Sequence, residues 1–358
     1  MATTDTAALA EEHASLTERC GLVDRSERGK LALTGSGAVE FLNGQLTNEL
    51  VGLKPGEGRY AAFLTHKGKM LGDLRVLAVG DDPDVEPSEL LLDTERVALQ
   101  ALFDMIRRFK VGYDVELHKR TLECSLLSLI GPTATEVATR AFLLEPSSLR
   151  SFGASSVGVD VSDGGPPNAR VGPLLEAEHD HLLLSLGDTP ARLIRTDLGF
   201  DVLFETDAVD AARAALVDAG AVEVSEAAAE IVRVEHGRPR YGLDLEDTTI
   251  PQEAGLNERA VSFTKGCYVG QETVARLHYK GKPNRHLRGL RLSEQVEPGA
   301  ELRLGERAVG HLGSSVLSPT FGAIGLALVR REAEPGAALE VGHRGAHATV
   351  TELPFKPI

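Results

Sequence analysis

Near residue 286 the sequence changes texture, and that change limits the folds open to it. Downstream, runs such as AVGHLGSSVLSP (308–319) and FGAIGLALVR (321–330) are short, apolar and punctuated by glycine, the pattern of a small all-β barrel or sandwich. Upstream, strand-like and helical runs mix without a regular βαβ period. GKLALTG (29–35) reads as a strand, and AVEFLNGQLTNEL (38–50) as a helix with Val39, Leu42, Leu46 and Leu50 at a 3.6-residue period. RYAAFLTHKGKMLGDLRVLAVG (59–80) predicts two strands joined by the basic turn HKGK, followed by the strand ELLLDT (89–94) and a helix over 95–109. LECSLLSLIGPTATEVATRAF (122–142) repeats the strand-then-helix order, with Gly-Pro at the junction. The Ser, Gly and Pro-rich stretch 145–169 predicts a surface excursion; beyond it come strands at 181–186, 191–196 and 200–206 and helices over 207–220 and 225–237. The class expected is α+β with a C-terminal β module.

A chain of 358 residues, 42% hydrophobic, can bury two or three cores. No apolar run approaches the roughly 18 residues of a membrane span, and the first residues lack the basic and apolar regions of a signal peptide, so a cytoplasmic protein is expected. Cysteines at 20, 124 and 267 form neither a disulfide framework nor a metal-binding spacing. A net charge of −15 disfavours general nucleic-acid binding. Against that background, 265–291 holds seven Lys/Arg and the single acid Glu272, either an anion-attracting surface or simply a solvated face. There is no Gly-rich phosphate loop and no nucleophile elbow.

Two segments bring in a family. RVEHGRPRYGLDLEDTTIPQEAGL (233–256) resembles a glycine cleavage T-protein segment, and KGCYVGQE (265–272) is similar to the signature of the YgfZ branch of that superfamily, which includes mitochondrial Iba-type relatives. Weaker similarity runs through 35–58, 195–205 and 318–330 in the family's order. The resemblance implies a three-domain ring around a folate channel, two domains mixed α+β and the third a small β-barrel. The boundaries expected are 1–50 with 115–225 for one α+β domain, 51–114 for the other, 226–285 for a channel-lining segment carrying KGCYVGQE, and 286–358 for the barrel.

The resemblance also implies residue roles. T-proteins carry two successive aspartates on their catalytic strand; here the stretch is KGKMLGDLRV (67–76), with Gly72 at the first position and Asp73 at the second. A glycine offers no carboxylate to the reacting amine, which argues against ordinary aminomethyl transfer. Asp201 in LGFDVLFE stands where the family grips the pterin amino group, or is a strand residue facing solvent. Arg233 matches a folate-contacting arginine, its guanidinium suited to carboxylates, or pairs with Glu230 or Glu235 on its own helix.

Cys267 lies two residues after Lys265, whose ammonium favours thiolate, nucleophilicity or cluster ligation; the bland alternative is a small buried hydrophobe. Tyr268 stacks on a pterin or fills an interface. Gly266, Gly270, Gln271 and Glu272 complete the motif at the start of a helix, where Gln271 and Glu272 suit caps as well as chemistry.

The function implied is that of a tetrahydrofolate-binding accessory protein for iron–sulfur cluster assembly or repair in client enzymes, including tRNA-modifying ones. Cys267 would be a redox thiol or one ligand of a transiently shared cluster, with folate and iron–sulfur client or assembly proteins as partners and no membrane. The competing readings are a folate-dependent aminomethyl or other one-carbon transferase, and a docking module for RNA or protein that uses 265–291.

Overall fold

The computed structural model describes residues 2–82, 84–143, 175–342 and 345–357, so the excursion expected at 145–169 lies outside the described residues. In chain order the strands are β1 (Gly21–Asp24), β2 (Gly29–Thr34), β3 (Gly58–Leu64), β4 (Met70–Val79), β5 (Glu89–Thr94), β6 (Glu116–Lys119), β7 (Cys124–Ile130), β8 (Phe142–Leu143), β9 (His181–Leu186), β10 (Thr189–Thr196), β11 (Gly199–Glu205) and β12 (Val222–Glu223). The barrel strands follow: β13 (Arg285–Leu292), β14 (Glu301–Leu304), β15 (Arg307–Ser318), β16 (Gly322–Arg330), β17 (Ala338–Val341) and β18 (Ala346–Thr351).

They form a seven-stranded sheet of order β12-β1-β7-β11-β10-β9-β8, a five-stranded sheet of order β3-β4-β5-β2-β6, and a closed barrel β13-β16-β15-β14-β17-β18. The architecture is the expected α+β with a C-terminal β-barrel. The five-stranded sheet draws in β2 and β6, so it reaches from 29 to 119 rather than over the expected 51–114. A sheet is completed by whichever strands bury its face, and here that includes a segment ahead of residue 51.

Each sheet is two-sided in chemistry. On β4, Leu74, Val76 and Ala78 enter a core with Phe41, Leu42, Leu102 and Ile106 from helices Ala38–Gln45 and Leu99–Phe109. The intervening Asp73, Arg75 and Leu77 point the other way by the two-residue period of a strand. On β7 and β11, Leu127, Leu129, Phe200, Val202 and Phe204 pack into a second core beneath helices Ala134–Ala141 and Val209–Asp218, leaving Ser128 and Asp201 on the opposite face. Those opposite faces meet, joined by ion pairs from Arg75 to Asp93 on its own sheet and to Asp201 on the other.

Helix Glu226–Glu235 is the hub between these layers and the barrel. Ala228, Ala229 and Val232 pack against Leu16, Val23 and Ile130, while Ile231 and Val234 pack on Val316, Ile324, Leu326 and Phe355 of the barrel region. Its N-terminus is capped by Ser225, whose hydroxyl accepts from the Ala228 amide at 3.3 Å.

The helix expected over 38–50 stops at Gln45, although Leu46 and Leu50 remain fully buried in the turn that follows. Its end is held from far along the chain. Lys265 Nζ donates to the carbonyls of Asn43 at 2.7 Å, Leu46 at 2.9 Å and Asn48 at 2.7 Å, a cation where the helix presents orphan acceptors. No helix among the described residues is long and apolar enough to cross a membrane.

Candidate functional site

A cavity of about 220 Å³ opens where the two polar sheet faces meet the segment 238–241 and Arg259. Asp73, Arg75, Tyr60, Asp201 and His179 are among its walls. Strand register puts them there: Tyr60 on β3 pairs with Arg75 on β4, and Asp201 on β11 pairs with Ser128 on β7.

Asp73 is 7% exposed, and its Oδ2 accepts a 2.6 Å hydrogen bond from the Tyr60 hydroxyl. Burial pushes its carboxyl up to about 6, although the Tyr60 hydrogen bond pulls the other way. Tyr60 stays protonated, its own acidity suppressed first by burial and then by the neighbouring Asp73 charge. The guanidinium of Arg259 lies over the Tyr60 ring, 5.3 Å from its centroid, and is paired with Glu178. Asp73 is therefore a buried carboxyl whose titration is moved towards neutrality, held by a tyrosine hydroxyl that keeps its proton.

The objection drawn from Gly72 does not survive the geometry. A Cβ at Gly72 would come within 2.6 Å of both the Ala98 Cβ and the Phe63 ring, on the packed side of the strand. An aspartate there would enter the core, whereas Asp73 is the β4 carboxylate that faces the cavity.

Asp201 is 8% exposed; its Oδ1 accepts from the Ser128 hydroxyl at 2.5 Å and its Oδ2 pairs with Arg75 at 2.7 Å. Arg75 also pairs with Asp93 at 2.9 Å, while its Nε is buried with no hydrogen-bond partner among the described residues. Burial would raise the Asp93 carboxyl, but Arg28 and Arg75 outweigh it and hold the group below its ordinary range.

Arg233 borders the cavity but is not available to a ligand. Its Nε and one terminal nitrogen grip Glu230 at 2.8 and 2.5 Å. The other terminal nitrogen donates to Asp244 at 2.8 Å and to the Arg238 carbonyl, and Ser314 takes the last N–H. All five donors are spent within the protein, and the pair with Glu230 is the second of the two roles expected for it. Glu235 is likewise engaged, with His13 at 3.0 Å and Ser318 at 2.5 Å. Arg238 is more open, paired with Asp197 at 2.7 Å. Asp197, Ile130 and Leu198 also line an adjoining cleft of about 400 Å³, so the two spaces share a wall.

KGCYVGQE lies apart from these walls. Lys265 is the carbonyl clamp already described, so its ammonium serves the end of helix Ala38–Gln45 rather than the Cys267 thiol. Tyr268 is 7% exposed and packs with Ala62, Leu64, Met70 and Val274; burial raises its hydroxyl to about 12. Gly270 caps helix Gln271–Lys280 at φ 85°, and a Cβ there would sit 2.6 Å from the Thr65 carbonyl oxygen. That glycine lets the helix dock on the β3–β4 hairpin. Gly266 and Cys267 are exposed, Gln271 donates weakly to the Gly266 carbonyl at 3.4 Å, and Glu272 is exposed in the first turn. Cys20 is fully buried, its thiol raised to about 12 by burial, and Cys124 is half-buried.

The basic run also divides. Lys265 is buried, Arg285 pairs with Glu253 at 2.9 Å, and Arg291 lies over the Phe321 and Phe355 rings, so 265–291 is not one free cationic surface.

Sequence reasoning missed His179. It is 9% exposed in the cavity wall, at φ 76°, with its ring tilted against Tyr60 at a centroid distance of 6.2 Å. An isolated histidine ahead of a strand carries no periodic signal; only its left-handed backbone singles it out.

The fold, mixed α+β with a closed C-terminal barrel, is of the T-protein type. The GCVT N-terminal domain matches residues 2–159, and the glycine cleavage T-protein C-terminal barrel domain matches 285–356. The aminomethyltransferase of Geobacillus kaustophilus is 28% identical over 96% of this chain and 89% of its own length. That of Rubrobacter xylanophilus is 27% identical over 98% and 86%. The glycine cleavage system aminomethyltransferase T of Bartonella henselae superposes with a TM-score of 0.77 at 23% identity, covering 97% of this chain and 89% of its own. The chain thus carries both domains of the glycine cleavage T-protein superfamily, and its homologues are aminomethyltransferases.

Proposed function

We propose that the protein binds a reduced folate in the inter-sheet cavity and acts as a folate-dependent one-carbon transferase of the aminomethyltransferase class. The observation that carries this is Asp73, a buried carboxyl facing the cavity and held by Tyr60. The walls suit a folate. Arg75 Nε is a buried donor with no hydrogen-bond partner among the described residues, and the Asp201 carboxylate offers acceptors of the kind a pterin amino edge requires. A 220 Å³ space is below the roughly 300–1,000 Å³ of pockets for drug-sized ligands, which fits the ring system with the tail continuing outside. Arg238, beside the wall shared with the larger cleft, is the cation best placed for a tail carboxylate.

When bound, tetrahydrofolate supplies a ring-system nitrogen that accepts a one-carbon unit. Asp73 orients that amine and, once ionised, stabilises positive charge developing beside it; Tyr60 fixes the carboxyl by donating to one of its oxygens. The test is transfer from a lipoyl-carried aminomethyl group. Wild type is expected to form product and Asp73→Asn to lose it by about 10²-fold or more while still binding folate. Equal rates for the two proteins would remove Asp73 from the chemistry.

A second reading rests on the resemblance of KGCYVGQE to the signature of the YgfZ-type branch: a folate-binding accessory to iron–sulfur proteins, with Cys267 presented to a partner. Its support is the exposure of Cys267 outside the cavity walls. Folate binding without transfer, together with impaired client maturation in Cys267→Ser, would favour it.

A further inference from the structure

We propose that His179 is a ligand-contacting residue of the cavity, its imidazole hydrogen-bonding the polar edge of the pterin ring. This rests on the folate reading above and adds a residue to it. The fold holds this side chain at some cost. His179 is the one non-glycine with positive φ among the described residues, a conformation unfavourable for an L-residue by roughly 1–2 kcal/mol. Gly58 makes room for it, since a Cβ there would lie 2.5 Å from the His179 carbonyl oxygen and 2.6 Å from its Cβ. Its amide is tied to the Arg195 carbonyl at 2.9 Å.

What this arrangement presents to the cavity is a polar ring without polar partners. Neither Nδ1 nor Nε2 has a hydrogen bond among the described residues, and Glu178 Oε1 lies 3.7 Å from Nε2, beyond hydrogen-bond distance. A phenylalanine or leucine would fill the same space without orphaning two buried nitrogens, so packing alone does not account for a histidine here. Burial, and then the Arg75 and Arg259 charges, lower its basicity to about 3, which leaves the ring neutral. A neutral imidazole has one donor nitrogen and one acceptor nitrogen, so by choice of tautomer the nitrogen facing the ligand can meet either an acceptor or a donor on a pterin edge. The ring stands beside Tyr60, which in turn holds Asp73, so the contact would fix the ligand next to the reacting carboxyl.

The experiment is anaerobic calorimetric titration of tetrahydrofolate into wild type, His179→Phe and His179→Gln, with melting temperatures recorded in parallel. Both variants carry the same left-handed strain, so their difference isolates the polar group. His179→Phe is expected to bind about tenfold or more weakly, as for a lost buried hydrogen bond, and His179→Gln to recover most of the affinity. If His179→Phe does not fold, His179→Asn replaces it, since asparagine tolerates the backbone but is too short to reach the ligand, and it carries the same expected loss. Affinities equal to wild type, or equal losses in the Phe and Gln variants, overturn the contact. Absence of binding by folded wild type defeats the folate reading itself, and this inference with it.

Discussion

Asp73 links stability to pH at the residue scale. Its carboxyl titrates near 6 in the folded protein against an ordinary 3.8, so the native state binds the proton more tightly than the unfolded chain does. Below about pH 4 both states are protonated and the site is neutral in its effect. Between about pH 4 and pH 6 the unfolded chain ionises this group while the native state holds the proton, so stability falls by about 3 kcal/mol in all, the loss being complete once pH has risen through 6 and the buried native carboxyl has ionised too. Asp73→Asn should therefore melt higher than wild type at pH 7.5, with the advantage disappearing towards pH 4, as followed by thermal unfolding. A constant difference across that range would contradict the buried-carboxyl assignment. In the transfer assay, the rate should rise through pH 6 as the carboxylate forms. Asp73 and Asp201 were legible as carboxylates from the family pattern, and the pairing of Arg233 with Glu230 from their spacing on one helix, but the rest of the Arg233 network was not. Its partners Asp244 and Ser314 lie 11 and 81 positions away in sequence, and no spacing announces such a network.

The instructive element is β4. Its alternating pattern made it legible as a strand, but alternation alone does not say which face meets a cavity. That depends on which second sheet covers it. Once β4 lies against β7 and β11, positions 73 and 75 face the seam and positions 72, 74, 76 and 78 face the packed side, which reverses the meaning of Gly72. Gly72→Asp should consequently fail to improve transfer. It should destabilise the protein by about 3 kcal/mol or more, because the new side chain meets Phe63 and Ala98 in a filled core. Denaturant unfolding measures this, and a variant of wild-type stability with raised activity would refute the register argument. The helix Ala38–Gln45 taught a similar lesson. Leu46 and Leu50 follow a helical period, yet they are buried through a turn held by Lys265, a contact 217 to 222 residues distant that no local pattern encodes.

At the scale of the whole molecule, helix Glu226–Glu235 couples the sheet layers to the barrel through Arg233, Asp244 and Ser314. Arg233→Ala leaves the fully buried Asp244 carboxylate without its cation, while the half-buried Glu230 keeps Arg240 at 3.3 Å, and should cost about 3–5 kcal/mol, seen as an early loss of barrel packing on heating. The barrel was legible in its glycine-punctuated strands and the α+β class in its mixed runs; the cavity was not, because its walls come from three regions that only tertiary packing assembles. The central claim is that this cavity takes a reduced folate. Its most direct test is anaerobic calorimetric titration of tetrahydrofolate into wild type, Asp201→Asn and Cys267→Ser. The account predicts one binding site per chain, affinity lowered about 10- to 100-fold by Asp201→Asn through loss of charge-assisted hydrogen bonds, and no change in Cys267→Ser. No heat from folded wild type, or an Asp201→Asn variant that binds like wild type, would contradict it.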